Sequence, residues 1–153
     1  MADCFKCCLP GSRVPPYLQF TNSQGSASGD SKIPHNRRLL LGIIFPQETG
    51  VQPMYMYFNR TSEGVKVLEA ACAAAGVKLD KGRIMGSPER LNLFTIEGDL
   101  LRIDLELEAH LGSTLQPGGW VILEKGNRLA PERLAAIQEA AQLAAEAGPC
   151  IVM

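Results

Sequence analysis

The sequence predicts an α+β domain in which a mixed sheet carries one packed helix, and three observations predict it. Two strand-like apolar runs, "RRLLLGIIFPQ" and "MYMYFN", stand close enough together to form a hairpin. One stretch with helical apolar spacing, "SEGVKVLEAACAAAG", follows them. Three more strand-like pieces, "RLNLFTIEG", "DLLRIDL" and "WVILEKG", come after that helix. Strands and a single helix in so uneven an order suit a mixed sheet with the helix packed on it.

Each element has a local reason. Residues 1–36 contain Pro10, Gly11, Pro15 and Pro16 and then "TNSQGSASGDSKIP", a polar stretch with almost nothing to bury, so they are expected to form a flexible arm. From Arg37 the apolar density rises into the first strand, which Pro46 closes. Met54, Tyr55, Met56, Tyr57 and Phe58 give the second strand its aromatic-rich, β-favouring character. Ser62 reads as the N-cap of the helix, Val65, Leu68, Cys72 and Ala75 as its buried stripe, Lys66 and Glu69 as its outer face, and Gly76 as its stop. Glu97-Gly98 hinges the third strand onto the fourth, "ELEAHLGSTLQPGG" carries turn chemistry with room for a short helix, and Trp120 opens the last strand. Residues 37–127 therefore read as a β-grasp, or ubiquitin-like, domain. Residues 128–149 form an added alanine-rich helix with Pro131 in its first turn and Gly148-Pro149 at its end. Its stripe of Leu134, Ile137, Ala141 and Ala144 is narrow and predicts a helix laid on the domain's own surface.

Taken together, "PMYMYFNRTSEGVKVLEAA", "RLNLFTIEG", "LRIDLELEAHL" and "LQPGGWVILE" resemble the C-terminal ubiquitin-like domain of zinc-finger proteins of the AN-one type, linked to arsenite stress and the proteasome. The similarity covers about residues 38–126, and its most specific piece is Gly118-Gly119 entering "VILE". It implies a docking module for the AAA segregase that extracts ubiquitylated clients. The sequence departs from the family in having no zinc-finger cysteine and histidine pattern before the domain, and in its terminal "CIVM". Gly118-Gly119 is not a conjugation tail, since Trp120 continues directly into an apolar strand; the pair reads as a turn that needs permissive backbone angles.

Composition narrows the function classes. A chain of 153 residues suits one compact domain with arms, and a net charge of −1 gives no electrostatic basis for binding nucleic acid. No apolar run approaches the roughly 18 residues of a membrane span, and "MADCFKCCLPGSR" lacks the apolar core of a signal peptide, so a cytoplasmic location is expected. The five cysteines, at 4, 7, 8, 72 and 150, are not a disulfide framework. Cys72 reads as a small buried apolar residue. Cys4-x-x-Cys7 resembles half of a zinc site, but a closed site needs four ligands and the only later candidates are His35, His110 and distant cysteines, so no metal is expected. There is no phosphate-binding glycine loop and hence no expected cofactor. His110 reads as a surface or packed residue, and Asp104, Glu106 and Glu108 alternate like a solvated face. No enzyme is expected. The competing expectation is a thiol-based enzyme or redox protein using Cys4, Cys7 and Cys8.

Binding residues follow from strand alternation, which sends Leu91, Leu93, Val121 and Leu123 toward the first helix and Phe94, Trp120 and Ile122 to the opposite face. Those last three are the candidate surface for a protein partner. A second reading stands beside it, in which the C-terminal helix covers them. The tail 150–153 has the form a prenyltransferase reads: Cys150, aliphatic Ile151 and Val152, and Met153, which selects farnesyl. Ala2 excludes myristoylation, while Cys4, Cys7 and Cys8 are candidates for reversible S-acylation, a second signal that stable anchoring requires. The sequence thus predicts a non-enzymatic ubiquitin-like adaptor, peripheral to a membrane through a lipid anchor.

Overall fold

The apolar run "LLLGII" is buried almost continuously because the sheet it forms is covered on both faces. The computed structural model describes residues 15–85 and 89–147. In chain order its elements are β1 (Arg38–Ile44), β2 (Met54–Asn59), α1 (Gly64–Ala75), β3 (Leu79–Asp80), β4 (Arg83–Ile84), β5 (Leu91–Phe94), β6 (Leu100–Leu101), β7 (Trp120–Lys125) and α2 (Pro131–Ala147). Five strands form one mixed sheet in the order β2-β1-β7-β5-β6. β1 and β7 are parallel at its centre, with Ile43 opposite Val121, and the other three pairings are antiparallel.

The period of two then divides the core. On one face Leu41, Ile43, Leu91, Leu93, Val121 and Leu123 pack under Val67, Leu68, Ala71 and Cys72 of α1. On the other, Ile44, Phe94 and Ile122 pack under Leu18, Ile137 and Ala140. The expected partition of β5 and β7 between the two faces is the observed one.

Four details differ from the sequence reading. Ser62 does not cap α1: the helix begins at Gly64 after Glu63, with no side-chain cap. Its first N–H groups are paired by main chain instead, Gly64 N–H with the Leu105 carbonyl at 3.1 Å and Val65 N–H with that of Ile103 at 3.0 Å, so no capping hydroxyl is required. Gly64 allows this approach, since a Cβ there would lie 2.8 Å from the Ile103 Cα. The β3–β4 hairpin was not anticipated; its two-residue loop, Lys81-Gly82, holds both residues at positive φ (53° and 79°), the geometry of a tight hairpin turn. The α2 stripe runs through Leu134, Ile137 and Ala140, whereas Ala144 is exposed.

The fourth concerns the arm. From residue 15 it is not loose, because Leu18 finds an apolar seat and is 1% exposed. The polar residues behind it pair with the outer edge of β2. Tyr55 N–H donates to Asn22 Oδ1 at 2.7 Å, Ser28 N–H to the Tyr55 carbonyl at 3.2 Å, and Tyr57 N–H to the Ser28 carbonyl at 2.9 Å. Residues 1–14, with Cys4, Cys7 and Cys8, lie outside the described residues, as does the tail with Cys150.

Candidate functional site: the second face of the sheet

Trp120 is placed by the turn before it. Gly118 sits at φ 79°, its N–H donates to the Leu40 carbonyl at 2.7 Å, and Gly119 returns its own carbonyl to the Gly42 N–H at 2.8 Å. The glycine pair thus acts as a turn hooked onto β1. Opposite, Gly42 has no Cβ, and the vacant space is filled by Phe20, whose ring centroid lies 4.4 Å from that of Tyr55 and 4.8 Å from that of Trp120. The Trp120 indole N–H donates to the Tyr55 hydroxyl at 3.3 Å, so the one tryptophan is clamped between the arm and β2.

Phe94, Trp120 and Ile122 do share this face, but they are not an exposed patch. Phe94 and Ile122 are fully buried and Trp120 is partly buried, with Leu18 and α2 over them. Of the two readings the sequence allowed, the covering helix is the observed one: Leu134, Ile137 and Ala140 share one cluster with Ile44, Phe94 and Ile122.

Two contacts of the cover could not be foreseen. Arg133, 9% exposed, donates through Nη2 to the Phe45 carbonyl at 2.6 Å, while its Nε stands 3.4 Å from Glu124 Oε2 without a hydrogen bond. Gln138 donates to the Ile96 carbonyl at 3.0 Å. The only sequence signal was an arginine one residue before the first apolar position of the stripe.

The opposite face carries a half-open cavity of about 750 Å³ between α1, the β3–β4 hairpin and β5, floored by Leu68, Cys72 and Leu91 and rimmed by Lys81 and Arg90. Burial pushes the Cys72 thiol up to about 11, the opposite of an activated thiolate. Thiol chemistry therefore finds no support at Cys72, and Cys4, Cys7 and Cys8 fall outside the described residues. Asp104 is exposed and tied to Arg102 at 2.6 Å, a hydrogen bond that holds its carboxyl below the usual range. Glu108 is tied to Arg60 at 3.5 Å. His110 contacts the Arg102 carbonyl through Nε2 at 3.1 Å, and its own carbonyl accepts from the Ser113 hydroxyl at 3.1 Å. Among the described residues no three histidine, cysteine or carboxylate side chains form a metal cluster, and no helix is long and apolar enough to cross a membrane.

No protein-family model matches the chain, and no curated protein matches it.

Proposed function

We propose that the chain is a ubiquitin-like adaptor: a β-grasp module that binds protein, carries out no chemistry of its own, and is held at the cytoplasmic surface of a membrane by a farnesyl group on Cys150. The observation that carries the fold part of this reading is the strand order β2-β1-β7-β5-β6, with a parallel central pair and α1 laid on one face. An antiparallel hairpin of the first two strands and a parallel return of the last strand to the centre of the sheet are what the ubiquitin-like arrangement requires. The resemblance to the AN-one domain makes an AAA segregase the first partner to test, and the terminal "CIVM" supports the lipid.

The two halves of the reading are tested separately. Intact-mass analysis of protein from its native cells should show one added farnesyl on wild type and none on Cys150→Ser, and the variant should leave the membrane fraction with an unchanged melting temperature. A wild type without the added mass removes the anchor. For the binding half, titration of the purified chain into a purified AAA segregase should give saturable binding; none up to millimolar concentration removes that partner.

A further inference from the structure

The two helices are held in very different ways. α1 buries Gly64, Val67, Leu68, Ala71 and Cys72 within 12 residues, and the main chain at 103 and 105 closes its first turn. α2 runs for 17 residues, yet among its described side chains Ile137 and Ala140 are the two that are fully buried, with Leu134 and Ala136 partly buried beside them. Alanine contributes little burial, so the apolar hold on α2 rests on two large side chains. Its polar hold is two contacts: the Arg133 guanidinium donates to the Phe45 carbonyl and stands 3.4 Å from Glu124, its Nε making no hydrogen bond, and the Gln138 amide donates to the Ile96 carbonyl. The groove beneath is well formed, however. Ile44, Phe94 and Ile122 make its floor, Gly98 clears space for Leu134, and the Phe45 carbonyl with the Glu124 carboxylate accepts a cation at one end.

We propose that this face is a helix-docking groove, that α2 is its resident occupant, and that an amphipathic helix of a partner protein takes its place. The inference deepens the protein-binding reading and rests on it. The kind of partner is given by what α2 itself presents: an arginine, then leucine, isoleucine and a small residue at the spacing of Arg133, Leu134, Ile137 and Ala140, with the rest of the helix polar. A competing helix that fills the groove with a larger side chain at the Ala140 position, or satisfies its guanidinium fully, displaces α2. The adaptor is then closed by its own helix until such a partner arrives.

The test uses the full chain and a fluorescein-labelled peptide of residues 128–147, read by fluorescence anisotropy. In the Ile137→Glu variant the resident helix loses its anchor, and the groove should bind the peptide saturably. Wild type should bind it at least ~10-fold more weakly, because its own helix competes at high effective concentration. A peptide carrying Ile137→Glu should not bind either chain. Arg133→Met, which keeps the stem but removes the charged clasp, gives a second opened chain should Ile137→Glu not fold, and it should bind the peptide more tightly than wild type. Equal affinity of wild type and an opened, cooperatively folding variant overturns the proposal, as does absence of binding to that variant. Concentration-dependent dimerisation of wild type through exchanged helices would make a second copy the occupant and overturn the assignment to a different partner. None of these outcomes depends on a lipid or on the segregase, so failure here leaves the adaptor reading to its own tests.

Discussion

Replacing Gly42 with alanine tests whether the arm is part of the fold. A Cβ at that position would lie 2.9 Å from Trp120 Cδ1 and 3.0 Å from both Cε2 and Cζ of Phe20, whereas ordinary contact begins about half an ångström farther out. Trp120 is fixed by its place in β7 and by its bond to Tyr55, so the Phe20 ring must yield. Overpacking of this kind costs about 1–3 kcal/mol, and a strand alanine recovers about 0.5–1 kcal/mol relative to glycine. The net expectation is a loss of about 1–2 kcal/mol, or roughly 2–8 °C in melting temperature for a chain of this size. Thermal and urea unfolding measure it, with Trp120 emission reporting on the clamp. The decisive comparison is the same substitution in a Phe20→Ala background, where two of the three close contacts are gone and the penalty should fall by at least ~0.5 kcal/mol. A Gly42→Ala chain as stable as wild type, or an identical penalty in both backgrounds, would refute the docking of Phe20 against this strand.

Leu123→Ala, at a site with no exposure, should lose about 2–5 kcal/mol, while Leu100→Ala, at 48% exposure, should change stability by less than ~0.5 kcal/mol; urea unfolding of the two distinguishes the core face from the rim. Gly64→Ala should lower the melting temperature despite alanine's better helix propensity, because its Cβ would lie 2.8 Å from the Ile103 Cα, a main-chain atom that cannot swing aside. Cys72 makes stability fall at alkaline pH. Its folded thiol titrates near 11 against about 9.0 when unperturbed, so the unfolded chain loses its proton first. The contribution is complete below about pH 9 and is lost as pH rises toward 11, at up to about 1.4 kcal/mol per pH unit. Urea unfolding of Cys72→Ala should lack that component of the decline, and an unchanged slope would contradict the assignment.

The sheet was legible because its signals are local and strong. β1, β2, β5 and β7 are apolar runs bounded by Pro46, Gly98 or the Gly118-Gly119 turn, and the alternation of Leu91 to Phe94 fixes which side chain faces α1. The seat of residues 15–33 was not legible, because a polar stretch with few apolar residues, Leu18 and Phe20 foremost, has no periodicity to read. What holds it is the β2 edge and the space above Gly42, both tertiary features. The β3–β4 hairpin was lost for a similar reason, since strands of two residues carry no pattern and Lys81 is an unusual residue at positive φ. At the second face the sequence identified Phe94, Trp120 and Ile122 but left their cover open. Alanine at 140 and 141 looks alike in sequence, and only the crossing of α2 over the sheet selects 140 for burial.

The pairing of residues 22–28 along β2 has a bearing on self-association. A five-stranded open sheet has two edges at which another chain could add a strand, and β2, at six residues with two tyrosines and two methionines, is the longer and more adhesive of them. Asn22 and Ser28 occupy its hydrogen-bonding groups at Tyr55 and Tyr57, and Arg38 lies over the Tyr57 ring at 4.2 Å. The other edge, β6, is two residues long and offers little template. A stretch with the composition of a linker thus occupies the edge at which another chain could add a strand, and proteolytic removal of it would uncover those hydrogen-bonding groups.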